Sequence, residues 1–252
     1  MLFNKILYIN LLRRPDRNEH IVKSLEYLEL FDICERVDAI DGKKLTKENI
    51  ADNLISSEGI SDAYNNDQRV YEPLTQGGIG CALSHKRVYE KIVNDKINRC
   101  LILEDDAKFD IDFFSKLNEI EKNVPQDFDI LFLGYHVSYI KNDINDYYFK
   151  PERVYGLFGY VVSYEGAKKL LDIFPLTYQI DTEISNNMSK FNAYCVKPNY
   201  HVTYSDRSSI TTQFGTDIQI REGFGGPVFQ NLVFFFAMTL LFSMILFLLK
   251  CL

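Results

Sequence analysis

Short apolar runs rich in β-formers alternate with stretches of helical spacing along most of this chain. Residues 5–11 (KILYINL) form the first such run, and after Arg-Pro-Asp the apolar Ile21, Leu25 and Leu28 return at helical intervals. This predicts a strand, a turn and a helix. Residues 36–40 predict a second strand ended by the Asp41-Gly42 turn. Residues 43–73 are polar, with little periodicity, and read as a long surface excursion of the lid or binding-loop kind. Residues 79–93 have helix spacing at Ala82, Val88 and Ile92, with Gly77, Gly78 and Gly80 before or inside the start. Strands follow at 99–103 (RCLIL), which runs into Glu104-Asp105-Asp106, and at 129–133 (DILFL), with a helix at 113–120 between them. The pattern continues with a strand at 160–163, helices at 165–173 and 181–190, and a strand at 193–197.

Strands alternating with helices predict an α/β domain built on a mainly parallel sheet covered on both faces. Ligands of such sheets sit beyond the carboxyl ends of the strands, where Glu104 to Asp106 and Gly134 to His136 fall.

The end of the chain departs from this pattern. Residues 228–249 are 22 positions without a charge, and as a helix they reach about 33 Å, enough to cross the hydrocarbon core. Core helices rarely run this long without a polar face, so a transmembrane helix is expected rather than a buried one. The expected organisation is a domain over residues 1–222, a hinge at 223–227 (GFGGP) and a membrane anchor at 228–249. Only Lys250, Cys251 and Leu252 follow, which describes a tail anchor, and the N-terminus lacks the order of charge and apolar run of a signal peptide. A single-pass membrane protein with its domain in the cytosol is the expectation. The sequon at Asn187 would matter only in a luminal compartment.

Composition narrows the function. With 46% hydrophobic and 25% charged residues the chain is globular, and its net charge of −7 leaves no basic excess for nucleic acid. Five separated cysteines, with no CxxC pair and no Cys/His cluster at zinc spacing, point to a reducing compartment.

The sharpest local chemistry is Glu104-Asp105-Asp106. Closely packed carboxylates raise one another's pKa unless a cation neutralises them, and oxygen ligands suit Mg²⁺ or Mn²⁺; a strand end turning into solvent is the competing explanation. A glycine-preceded helix start at Gly77 to Gly80, followed by Ser84 and His85, could hold an anion or simply satisfy its own first turn. Arg13, Arg14 and Arg17 could reach a phosphate or form an exposed basic turn. Asp181 could be a general base or a helix cap, and His136 and His201 are candidates by residue type.

Taken together, YINLLRRPDR (8–17), RVDAIDG (36–42), GGIGCALSHKRVYEKI (77–92), LILEDDAKF (101–109), DILFLG (129–134) and the Gly-Ala-Lys-Lys-Leu-Leu helix (166–171) resemble glycosyltransferase family 25. That family includes bacterial lipooligosaccharide galactosyltransferases and procollagen galactosyltransferases. The most specific part is GxxGCALSH followed by LILEDD. The resemblance implies a GT-A-like Rossmann-type domain that binds UDP-galactose or UDP-glucose and transfers the sugar with inversion to a hydroxyl on a glycan or a hydroxylysine-bearing protein. It also implies Mn²⁺ or Mg²⁺ held by Asp106, with Glu104 and Asp105 beside it. Asp181 is the implied base, and Tyr8, Asn10, Arg13, Gly80, Ser84 and His85 match the donor side. GT-A enzymes take a second metal contribution from the later chain, where His201 and Asp206 lie; His201 is the expected ligand. A catalytically inactive, tail-anchored nucleotide-sugar-binding or scaffold protein is the competing class.

Overall fold

Every position of Lys5–Asn10 (β1) after the first is buried. Leu7 and Ile9 enter one hydrophobic cluster, Ile6 and Tyr8 another, as a strand covered on both faces requires, because successive side chains point to opposite sides. The structure, a computed structural model, describes residues 2–64 and 74–205. After β1 come α1 (Pro15–Tyr27), β2 (Cys34–Asp38), α2 (Ser57–Tyr64), α3 (Gln76–Asn94), β3 (Arg99–Glu104), β4 (Lys108–Phe109), α4 (Phe113–Asn123) and β5 (Ile130–Phe132). They are followed by β6 (Val137–Asp143), β7 (Tyr148–Tyr155), β8 (Gly159–Ser163), α5 (Tyr164–Leu171), α6 (Ile180–Asn186), β9 (Ala193–Val196) and β10 (Thr203–Tyr204). The expected hinge and anchor at 223–249 lie outside the described residues, among which no helix is long and apolar enough to cross a membrane.

Eight strands form one sheet in the order β2-β1-β3-β8-β5-β9-β7-β6. β8 and β7 run against the other six, so the sheet is mixed, although mainly parallel as expected. α1 and α4 pack on one face through Ile21, Leu25, Phe113, Leu117 and Ile120. α3, α5 and α6 cover the other through Ile79, Val88, Ile92, Leu170 and Ile184. From β1 the chain goes to β2 on one side and returns to β3 on the other, and such a reversal opens a crevice at the carboxyl ends of the strands. Asn10 ends β1 there, and Glu104 ends β3.

Two expectations change. The excursion at 43–73 is not all surface: Ile50 and Ile55 are buried, Ile55 bridges Leu176, and 57–64 form α2. β6 and β7 are a hairpin that the apolar pattern does not announce, as β6 is an edge strand almost wholly exposed.

The glycines at the start of α3 serve packing. A Cβ on Gly80 would sit 2.5 Å from the Ile40 carbonyl oxygen and the Gly42 nitrogen, so only glycine lets the backbone after β2 lie on the helix. Helix propensity alone favours Gly80→Ala by about 1 kcal/mol, whereas overpacking against backbone costs roughly 1–3 kcal/mol. Gly80→Ala is therefore expected to destabilise, seen as a lower midpoint in chemical denaturation; a higher midpoint would show that the two segments can separate.

Candidate active site

The crevice is an open cleft at the carboxyl ends of β1 and β3. Its walls are Ile9, Leu11, Arg13 and Arg17 from β1 and α1, residues 39–42 after β2, Gly77, Cys81, Ser84 and His85 from α3, and Glu104, Asp105 and Asp106 after β3. The acidic triplet thus sits at the switch point.

Its three carboxylates have different surroundings. Asp105 is 5% exposed and tied on both oxygens: Arg17 Nη1 donates to Oδ1 at 2.8 Å, and Asn10 Nδ2 to Oδ2 at 2.7 Å. Burial pushes its carboxyl up, and Arg17 and Asn10 offset this only in part. Glu104 Oε1 lies 3.1 Å from His85 Nε2, while His85 Nδ1 is 2.7 Å from the Tyr160 hydroxyl, itself 2.8 Å from that of Tyr89. Burial raises the Glu104 carboxyl, but the hydrogen bond and charge of His85, with Arg17 and His136, outweigh it and leave it lowered. Asp106 is different again. Its Oδ1 is buried with no hydrogen-bond partner among the described residues, and burial and then the Glu104 charge push its carboxyl up to about 7, with Arg17 and Ser205 pulling the other way.

A carboxylate oxygen that is desolvated, unpartnered and flanked by two more carboxylates fits a cation. Hard oxygen donors are available from Asp106 and Glu104, whereas both oxygens of Asp105 are already committed to Arg17 and Asn10.

Asp181 stands in the first turn of α6. Its Oδ2 accepts from the Gly156 N–H at 3.2 Å and its Oδ1 from the Thr182 N–H at 2.8 Å, and Gly156 has a φ of 99°, which favours glycine. Burial raises its carboxyl, the two N–H groups lower it, and the Glu104 charge raises it. The charges of Glu104, Asp105, Asp106 and Asp181 all act on Cys81, but Asp181 itself is not among the residues lining the cleft.

The other expected residues divide. Arg13 lines the cleft and pairs with Asp41 at 2.8 Å. Ser84 accepts from the Ile40 N–H at 2.8 Å and donates to the Gly80 carbonyl at 2.6 Å, fixing the cleft wall. The expected anion-holding glycines lie inside the first turn of α3, where Thr75 caps the Gly78 N–H and the Gln179 amide packs over Gly78. Tyr8 lines the core beneath α1, bonds Asn18 at 3.1 Å and is not among the residues lining the cleft. His201 is not among them either. It lies in the turn before β10, packed edge-on to Tyr135 at 4.3 Å, with Nε2 unpartnered among the described residues; burial, then Lys116, lower its pKa to about 4. β10 pairs antiparallel with β4, and Ser205 just beyond it bonds Asp106. Asp206 lies outside the described residues.

Sequence reasoning did not find the Tyr160–Tyr89 support of His85, whose partners are 75 and 71 residues apart. It also found no Cys/His cluster, yet Cys81, His85 and Glu104 bring a sulfur, a nitrogen and an oxygen within 4.8 Å of one another. The signal was present as Cys and His four apart on one helix, which puts both on one face.

Comparison with known proteins agrees with the resemblance. The family model described as Glycosyltransferase family 25 (LPS biosynthesis protein) matches residues 3–151. Procollagen galactosyltransferase 1 of Danio rerio is 31% identical over 185 residues, covering 70% of this chain and 30% of that protein. Procollagen galactosyltransferase 2 of Homo sapiens is 32% identical over 192 residues, covering 69% and 28%. The inactive glycosyltransferase 25 family member 3 of Homo sapiens is also 32% identical over 192 residues, covering 69% and 29%. The chain thus spans less than a third of the length of these relatives. Because the matched segment contains β1, the start of α3 and the acidic triplet, the elements that build the cleft are also those by which this chain belongs to glycosyltransferase family 25.

Proposed function

We propose that this chain transfers a hexose, galactose or glucose, from a UDP-sugar to an acceptor hydroxyl on a glycan or a hydroxylysine-bearing protein, with inversion and with a divalent cation. The observation that carries the proposal is the unpartnered, buried Asp106 Oδ1 in a switch-point cleft already lined by carboxylates. Asp106 and Glu104 are the residues that would hold Mn²⁺ or Mg²⁺. When bound, the cation neutralises charge on the diphosphate leaving group.

The chain's own residues do the rest. Asp105 holds Arg17 at the cleft, with its Nη1 3.8 Å from Asp106 Oδ2, so the guanidinium stabilises the triplet and faces an anionic donor. Arg13 stands at the same wall and can exchange Asp41 for a phosphate. Asp181, oriented by the Gly156 and Thr182 N–H groups, takes the proton of the acceptor hydroxyl as that oxygen attacks the anomeric carbon, and burial makes it a stronger base than an exposed aspartate. His201, neutral and unpartnered at Nε2 among the described residues, is proposed as a third ligand for the cation, supplied by the later chain. The charge-free segment 228–249 is proposed as a membrane anchor with the domain on the cytosolic side.

The test is release of UDP by the full-length, detergent-solubilised protein from UDP-galactose and UDP-glucose, with Mn²⁺ and with EDTA. Metal-dependent turnover of one donor supports the proposal; silence with both, and no nucleotide-induced rise in melting temperature, sinks it. The inactive human relative favours a second possibility, binding without transfer. It would give the rise in melting temperature without turnover. Asp181→Asn is expected to lower kcat about 10²–10⁴-fold with little change in donor KM, because Asp181 acts on the acceptor. A parallel loss of donor affinity would move it to the donor side.

A further inference from the structure

Cys81 and His85 lie four residues apart in α3, and Glu104 ends the strand beneath them; one ligand atom from each comes within 4.8 Å of the others. Between the ligands of a tetrahedral zinc-type site the separations are about 3.3–3.6 Å, and His85 Nε2 and Glu104 Oε1 already stand 3.1 Å apart. A bound cation would have to draw the third side, to Cys81 Sγ, from within 4.8 Å into the same range. The imidazole is 1% exposed, and its Nδ1 is held by the Tyr160 hydroxyl. That is the outer contact a metal-binding histidine uses to fix its ring and aim the other nitrogen. We propose that Cys81, His85 and Glu104 form a binding site for a thiophilic divalent cation of the zinc class, with three protein ligands and a fourth position open to the cleft.

The donor set differs from that of the acidic triplet. Sulfur and imidazole select Zn²⁺, Co²⁺ or Cd²⁺ over Mn²⁺ or Mg²⁺. On binding, the Cys81 thiol gives its proton to solvent and its sulfur lone pair to the cation, while His85 and Glu104 contribute a lone pair each; no electrons are transferred. Burial and four carboxylates hold the free thiol protonated, and the same carboxylates draw in a cation, so the metal reverses the local preference. Because Glu104 is shared with the cation proposed for Asp106, the two occupancies oppose one another. Only that consequence rests on the transferase proposal.

The probe is Co²⁺ added to the full-length protein, read by the thiolate-to-metal charge-transfer band, which needs no turnover. The wild type is expected to show the band at stoichiometric metal, Cys81→Ser to lose it, and Asp106→Ala to keep it. A folded wild type without the band overturns the site. So does a band that survives Cys81→Ser or disappears in Asp106→Ala. Alkylation of the wild type, mapped by mass spectrometry, supplies a measurement free of any folding defect in a variant. Zn²⁺ is expected to slow modification of Cys81 at least about tenfold, matching a site about 90% occupied, and a chelator to restore the rate. Equal rates with and without Zn²⁺ would also overturn it.

Discussion

Asp106→Asn is expected to abolish turnover and, in the same protein, to raise the stability of the metal-free fold. The loss of activity should be at least about 10³-fold, the scale on which a single group opposing transition-state charge acts. The gain in stability has a separate cause. The native carboxyl is pushed up to about 7 from 3.8. Below pH 3.8 both folded and unfolded chains carry the proton, and the group contributes nothing. Between 3.8 and 7 the folded state keeps the proton that the unfolded state has lost, so stability falls as pH rises; above 7 the penalty is complete. The shift itself would give roughly 4 kcal/mol. With 27% of the side chain exposed, solvent screening reduces this to on the order of 1–3 kcal/mol. Asparagine carries no charge and escapes the penalty.

The comparison must be made as a difference between variant and wild type, because His201 titrates in the opposite sense. Its folded pKa of about 4 lies below the ordinary 6.5, so its contribution is complete above 6.5 and is lost as pH falls towards 4. Thermal melts of wild type and Asp106→Asn in EDTA, from about pH 8 to about pH 4, should show an advantage for the variant that shrinks steadily with acid. An advantage independent of pH would mean that the carboxylate is not desolvated.

Much of the fold was legible because the interior strands are covered on both faces. β1, β3, β5, β8 and β9 are almost wholly buried, and such strands read as continuous apolar runs. β6 obeys another rule: VSYIKND lies at the sheet edge with nearly every side chain exposed, so its sequence carries no burial pattern to read. α2 was hidden for a related reason, since only one of its eight residues, Gly59, is buried. Residue types and order, through the family resemblance, singled out Glu104 to Asp106 and His85, which the fold brings to the cleft, and Asp181, which is not among the residues lining it. What sequence could not supply was the division of labour between Asp105 and Asp106. They are identical in type and adjacent, and only the fold gives one of them Arg17 and Asn10 while leaving an oxygen of the other unpartnered. The grouping of Cys81 with Glu104 likewise needed the placement of β3 beneath α3.

Arg17→Met tests that division from the structural side, and its expected effect on stability is the largest of any substitution considered. The ion pair is closed to solvent on both sides, with 10% and 7% of the two side chains exposed. Breaking such a pair from one side costs about 3–5 kcal/mol, because the remaining charge stays buried without its counter-ion. Asn10 would still donate to Asp105, but the carboxyl, already raised by burial, would rise further and take up a proton. The deficit therefore depends on pH. It is complete above the new folded pKa and shrinks as pH falls towards 3.8, where the unfolded chain is protonated too. Adding Asp105→Asn to Arg17→Met removes the stranded charge and should recover most of the loss, although neither single change improves stability. Chemical denaturation of the four proteins at about pH 7.5 and about pH 5 measures both the coupling and its sign. A deficit below about 1 kcal/mol at the higher pH, the range of an exposed pair, would show that water reaches Asp105 and that the anchor under the acidic triplet is not what holds Asp106 in place.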